Sequence, residues 1–225
     1  MPAAVIFDLD GVLLDSESVW NQAREQLTRT HGGRWSAEAT RAMMGMSSTE
    51  WSAYMHDKLG VELDPPAISE RVVAEVQARY RERLPLLPGA REVVMNLAGA
   101  GWPLALASSA NRPIIDLFLD LAELRTEFRT SVSSEEVARG KPAPDVYLEA
   151  AGRLGAESTA CAAVEDSANG LRSAAAAGMT VIAVPNREFR PDEEALGLAT
   201  AVLASVAELT PELLRALDPG SQQPA

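Results

Sequence analysis

The sequence predicts an α/β protein: a parallel sheet covered by helices on both faces, with a small all-helical segment inserted after the first strand. Two observations carry this. Short apolar runs alternate with helical patterns at the spacing of right-handed βαβ units. One long stretch near the N-terminus, residues 15–83, breaks that rhythm and holds helical patterns without a convincing strand.

Residues 3–7 are an apolar run rich in β-branched and aromatic side chains, closed by acids and a glycine, which suits a buried parallel strand. Similar runs occur at 103–107, 161–164 and 180–184. Helical patterns with readable ends lie between them: 89–100 starts after Pro88 and stops at Gly101, 145–154 stops at Gly155, and 169–177 stops at Gly178. The strandless stretch predicts four helices. One covers 16–31 before Gly32-Gly33, and a second starts at Ser36. A third starts at Ser47, with Glu50 at capping-box spacing, and ends at Gly60; the last covers 68–83. The expected organisation is a core domain from 1–14 and 84–225, a helical cap from 15–83, and a frayed tail at 219–225.

A chain of 225 residues, 47% hydrophobic and 23% charged, has a globular balance. Its net charge of -12 argues against nucleic acid or an anionic membrane as partner, and means that any anionic substrate needs positive charge concentrated where it binds. The single cysteine, Cys161, excludes an internal disulfide and fits a buried filler in a reducing compartment. The N-terminus lacks a signal-peptide pattern, and no run approaches a membrane span. A cytoplasmic protein, monomeric or weakly dimeric, is expected. Only Lys58 and Lys141 are lysines among 20 basic residues, so an ammonium kept at Lys141 is a hint of function.

Four stretches fall at the C-terminal ends of predicted strands, the edge where parallel sheets bind ligands. Asp8-Leu9-Asp10-Gly11 straddles a turn; it suits either a turn or a pair of catalytic carboxylates, and its glycine falls too early for an EF-hand. Ser108-Ser109 suits a helix cap or a cradle for phosphoryl oxygens. Lys141, between Gly140 and Pro142, is either a solvated lysine or a charge for phosphate and carboxylate. Glu165-Asp166 closes a buried strand, where adjacent acids repel unless a hard cation such as Mg²⁺ lies near; a helix cap is the alternative.

In this order, FDLDG, ALASS, GKPAPD and VEDSANG match the four motifs of the haloacid-dehalogenase-like superfamily, which the chain resembles across almost its whole length. The insertion after the first motif resembles the cap of the subgroup that contains β-phosphoglucomutases and sugar phosphatases. The resemblance implies a Rossmann-like core under a helical lid and a Mg²⁺-dependent phosphatase acting on a small phosphorylated metabolite. It implies Asp8 as nucleophile, Asp10 as general acid/base, and Ser108 and Lys141 as phosphate-binding pair, with Ser109 beside them. It implies a metal held by Asp8, the Asp10 carbonyl, Asp166 and, directly or through water, Glu165. Dehalogenases lack an acid at the place of Asp10, so dehalogenation is not expected.

The alternative within the family is a phosphomutase. The resembled mutases carry a cap histidine where this chain has Trp20, and basic residues in the next cap loop, which here reads Met44-Gly45-Met46-Ser47-Ser48-Thr49. A lid without cations suits a bisphosphate poorly, so hydrolysis is expected. The D-S-E-x-x-W stretch and residues 86–92 resemble 2-deoxyglucose-6-phosphate phosphatases. A non-catalytic phosphate-binding protein would be favoured if a motif residue were missing, and none is. Trp20 is a candidate for stacking on substrate or for packing inside the lid. Met43, Met44, Met46, Trp51 and Tyr54 fit a cap core at least as well as a substrate-lining surface, His31 and His56 read as surface or interface residues rather than catalytic ones, and Arg24 as a solvated helix residue.

Overall fold

The computed structural model describes residues 2–43, 46–186 and 190–217. Six strands form one sheet in the order β3-β2-β1-β4-β5-β6: β1 (Ala4–Phe7), β2 (Leu104–Ser108), β3 (Phe128–Ser133), β4 (Cys161–Glu165), β5 (Thr180–Ala183) and β6 (Ala201–Val202). Every adjacent pair is parallel. The order reverses direction beside β1, so the loops after β1 and β4 diverge and leave a crevice at their C-terminal ends.

Alternate residues along each central strand enter two apolar cores. Val5, Phe7, Leu104, Leu106 and Val164 pack with α5 (Ala90–Gly99) and α6 (Arg112–Leu121). Ala4, Ile6, Ala105, Ala107 and Ala163 face α7 (Asp145–Leu154) and α8 (Ala168–Ala176). Burial on both faces is why these strands read as continuous apolar runs rather than alternating ones.

Between β1 and α5 lie α1 (Glu17–Thr30), α2 (Ala37–Met43), α3 (Ser48–Asp57) and α4 (Pro65–Glu82). The Ser47/Glu50 capping box is formed, and Gly32 and Gly60 adopt positive φ where the expected helices end. α4 begins before the expected residue 68 because Asp64 caps it and Pro65 and Pro66 fill the first turn, where no amide donor is needed. The chain leaves and re-enters the sheet side by side: the Asp15 amide donates to the Pro85 carbonyl and that of Leu87 to Leu13.

The structure adds elements absent from the sequence reading. β3 is an edge strand, FRTSVS, with several half-exposed positions, so it has no apolar run to announce it. β6 is a two-residue edge strand. α6 also went unread, although Ile114, Ile115, Phe118 and Leu119 bury one face of it. Two α-helices follow β5, α9 (Glu193–Leu196) and α10 (Pro211–Ala216). The tail at 219–225 and Met44 lie outside the described residues.

Candidate active site

Five charged side chains from three separate stretches converge at the C-terminal edge of the sheet. Asp8 follows β1, Glu165 ends β4 with Asp166 next to it, and Lys141 arrives from the loop before α7. Lys141 Nζ donates to Asp8 Oδ1 at 2.6 Å and to Glu165 Oε1 at 2.5 Å. All four groups are at least nine-tenths buried. The fifth, Asp10, faces the cavity described below.

Glu165 is held from every side. Its Oε1 also accepts the Tyr147 hydroxyl at 2.9 Å, and its Oε2 accepts the amides of Asp166 and Ser167 and the Ser167 hydroxyl. Sequence reasoning gave Glu165 to a metal and had no partner for Tyr147; the structure ties Glu165 foremost to Lys141. Gly170 in α8 lies so close that a Cβ there would stand 1.9 Å from the Glu165 carboxylate.

Burial dominates the electrostatics. It pushes the Asp8 carboxyl up to about 8, against the pull of Lys141, with Glu165 and Asp10 adding to the rise. Asp166 is raised well above the carboxylate range by burial and by Glu165 and Asp8. Burial alone would lower the Lys141 ammonium; Asp8 and Glu165 outweigh it and hold the group above its ordinary range. Among the described residues, oxygens of Asp8, Glu165 and Asp166 lie within 4.8 Å of one another. A hard-oxygen set that resists ionising for lack of positive charge fits a divalent cation such as Mg²⁺.

Asp10 faces a cavity of about 560 Å³. Its Oδ1 accepts the Ser16 hydroxyl at 2.5 Å and the Trp20 indole N–H at 3.3 Å. Loss of water raises the Asp10 carboxyl, with Ser16 and Trp20 pulling against it. Trp20 is therefore both lid core, at 5% exposure, and a support of the catalytic candidate. Ser16 was not singled out in the sequence, although it stands in the same D-S-E stretch.

Two expectations about the lid are overturned. Arg24 is no solvated residue: it is 6% exposed, and its guanidinium lies 5.1 Å from the ring centroids of both Trp20 and Trp51. Nor does the lid lack cations, because Arg24 and Arg41 both line the cavity, Arg24 in its wall and Arg41 as an exposed residue. Position along helices α1 and α2, which only the fold reveals, brings them there.

The Ser108-Ser109 pair divides its tasks. Ser108 is fully buried, with its Oγ accepting the Ala110 amide at 3.0 Å, while Ser109, Ala110 and Asn111 line the cavity. Asn111 Nδ2 and the Ser48 hydroxyl, from α3 of the lid, both donate to Glu135 Oε1, at 2.7 and 2.9 Å. One carboxylate thereby ties lid to sheet edge.

Residues 2–178 match the model of the haloacid dehalogenase-like hydrolase family. A probable pseudouridine-5'-phosphatase of Drosophila melanogaster is 34% identical over 215 residues, 92% of this chain and 91% of that protein. Hexitol phosphatase B of Escherichia coli K12 is 32% identical over 223 residues, 92% and 94% of the two chains. Among solved structures, CbbY of Rhodobacter sphaeroides in complex with phosphate superposes with a TM-score of 0.83 at 28% identity, covering 93% of this chain and 96% of that one. β-Phosphoglucomutase of Clostridium difficile shares the fold, with a TM-score of 0.83 at 23% identity, over 96% and 97% of the two chains.

The glycine contacts give a prediction with two signs. In a helix, Gly→Ala ordinarily stabilises by up to about 1 kcal/mol, and Gly152→Ala, with open space at its Cβ position, should do so. Gly170→Ala should instead destabilise by about 1–3 kcal/mol, because Glu165 is pinned and cannot yield. Thermal unfolding of both variants checks the pair; a stabilised Gly170→Ala would show that Glu165 moves freely.

Proposed function

The chain belongs to the haloacid dehalogenase-like hydrolase family, and from that premise we propose that it is a phosphatase of small phosphate monoesters, sugar phosphates in the first place, acting through a covalent phosphoryl-Asp8. The observation that carries this is the joint exposure of Asp8 and Asp10 to one cavity, with Lys141 bound to Asp8 at 2.6 Å. A carboxylate nucleophile and a second, differently held carboxyl group make a two-step transfer possible.

The phosphoryl group enters at the sheet edge, where Lys141, Ser109 and the amides of the loop after β2 offer positive charge and donors. Ser108, whose oxygen already accepts the Ala110 amide, retains its own proton to donate. The Asp8 carboxylate attacks phosphorus in line, and Asp10, fixed by Ser16 and Trp20, protonates the departing alcohol. Asp10 then takes a proton from the water that opens the phosphoryl-Asp8 ester. Asp8, Asp166 and the Asp10 carbonyl would hold Mg²⁺, with Glu165 beside them; when bound, the ion neutralises phosphoryl charge and keeps nucleophile and phosphorus in register. Helices α1–α4 serve as the lid that closes on the leaving group.

Hydrolysis is preferred to phosphate migration because the two relatives described above are named as phosphatases and because Trp20 stands where the resembled mutases carry a histidine. Charge no longer separates the two, since Arg24 and Arg41 line the cavity.

Asp8→Asn should lower phosphate release by about 10³-fold or more. Its melting temperature without divalent cation should be unchanged or higher, since the charged form of this buried acid is disfavoured in the fold. More than a few per cent residual activity would remove the covalent step.

The pH dependence follows from the same group. Asp8 must be ionised to attack, and without a cation it titrates at about 8. A neighbouring cation favours the charged form, so raising Mg²⁺ from subsaturating to saturating should move the acid limb of kcat/KM down by about 1 pH unit or more. A limb that stays fixed across the series would uncouple Asp8 from the metal.

Asp10→Ala should reduce turnover of an alkyl phosphate by about 10²–10⁴-fold, and that of p-nitrophenyl phosphate far less, since p-nitrophenolate leaves without a proton. Equal losses on the two substrates would take the leaving-group role from Asp10.

A further inference from the structure

We propose that Arg24 is a specificity-determining residue that binds a second oxyanion on the substrate, a carboxylate or a further phosphate, at the end away from the transferred phosphoryl group. The inference rests on the phosphatase reading above and deepens it.

The first observation is that the guanidinium is buried without a complete set of partners. Arg24 is 6% exposed, and its Nε finds no hydrogen-bond acceptor among the described residues. Leaving a buried donor of a charged group unpaired costs more than leaving a neutral one so. The faces of Trp20 and Trp51 share its charge, yet a ring face is no substitute for the in-plane acceptors that a guanidinium fork takes. Burial lowers the group to about 10 against the pull of Glu17, Asp10 and Tyr80, which leaves it a cation at neutral pH.

The second observation is its place. Arg24 lines the same cavity as Asp8, Asp10 and Lys141. It sits one helical turn beyond Trp20, which donates to Asp10, so along the cavity wall it follows the group assigned to the leaving oxygen. What reaches Arg24 is therefore the leaving-group portion of the substrate. A planar fork with five donors matches the two oxygens of a carboxylate or phosphate, whereas a hydroxyl uses one donor and brings no charge. The two tryptophans hold the guanidinium in place, so little ordering entropy is lost on binding.

Two matched pairs test this, read as ratios of kcat/KM so that any general loss of active enzyme cancels. The first is 6-phosphogluconate against sorbitol 6-phosphate, which differ by a terminal carboxylate against an alcohol. The second is fructose 1,6-bisphosphate against fructose 6-phosphate. The wild type should favour the oxyanion member of at least one pair by tenfold or more, the pair showing which oxyanion it is. Arg24→Met should collapse that ratio to within about threefold of one, and Arg24→Lys, which keeps the charge but not the fork, should fall between. Should Arg24→Met fail to fold, Arg24→Lys and Arg24→Gln carry the same comparison. Wild-type ratios near or below one in both pairs, or ratios unchanged by the Arg24 variants, overturn the assignment. If phosphate release from these substrates and from p-nitrophenyl phosphate persists and is abolished by Asp8→Asn, only the Arg24 assignment has failed; if no release depends on Asp8, the phosphatase reading has failed with it.

Discussion

The structure depends on one shortage of positive charge. Asp8, Glu165 and Asp166 share a buried corner with a single ammonium, Lys141. Fully ionised, three carboxylates and one lysine leave two negative charges unbalanced, and at an effective dielectric near 20 each close pair is worth about 4 kcal/mol. Asp8 and Asp166 respond by holding protons well above the usual carboxylate range. A divalent cation would supply both missing charges at once, which turns a destabilising cluster into a binding site. Among the described residues, Lys141 is the cation bound directly to this cluster, to both Asp8 and Glu165.

The rest of the fold serves to keep that corner rigid. Strands β2, β1 and β4 lie side by side and end together, so carboxylates far apart in the chain arrive at one edge. Glycines make the approach possible. Gly11 has φ +80°, and a Cβ there would come within 1.9 Å of an Asp166 oxygen. Gly170 does the same service for Glu165. Tyr147, on α7, spends its hydroxyl on Glu165 and lays its ring 5.0 Å below the Lys141 ammonium.

The parallel sheet and the placement of the acids were legible because burial on both faces writes strands as apolar runs and because acids directly after such runs are unusual. Helix ends were legible where glycines with positive φ stop the lid helices and α7. Edge strands β3 and β6 were not, since an edge keeps polar side chains and yields no run. The cavity wall was least legible. Arg24 looks like any arginine on a polar helix face until Trp51, 27 residues away in the sequence, folds onto it beside Trp20, one turn earlier on the same helix. The division between Ser108 and Ser109 was equally hidden, because it depends on which hydroxyl the loop turns inward.

The lid cations change how an acidic protein meets an anionic substrate. With a net charge of -12, the long-range field repels phosphate. Lys141 is already committed to Asp8 and Glu165, so it cannot supply the whole attraction. Arg41, which is exposed, and Arg24, which is buried, line the cavity on the lid side. A substrate with anionic groups at both ends would meet Lys141 at the sheet edge and Arg24 and Arg41 from the inserted helices in the same cavity. Without such a ligand, Arg24 Nε has no acceptor among the described residues. If Arg24 holds the leaving group as proposed, the fate of a phosphoryl-Asp8 intermediate would turn on whether water reaches it before the bound alcohol returns, so retention at Arg24 and hydrolysis would be in competition.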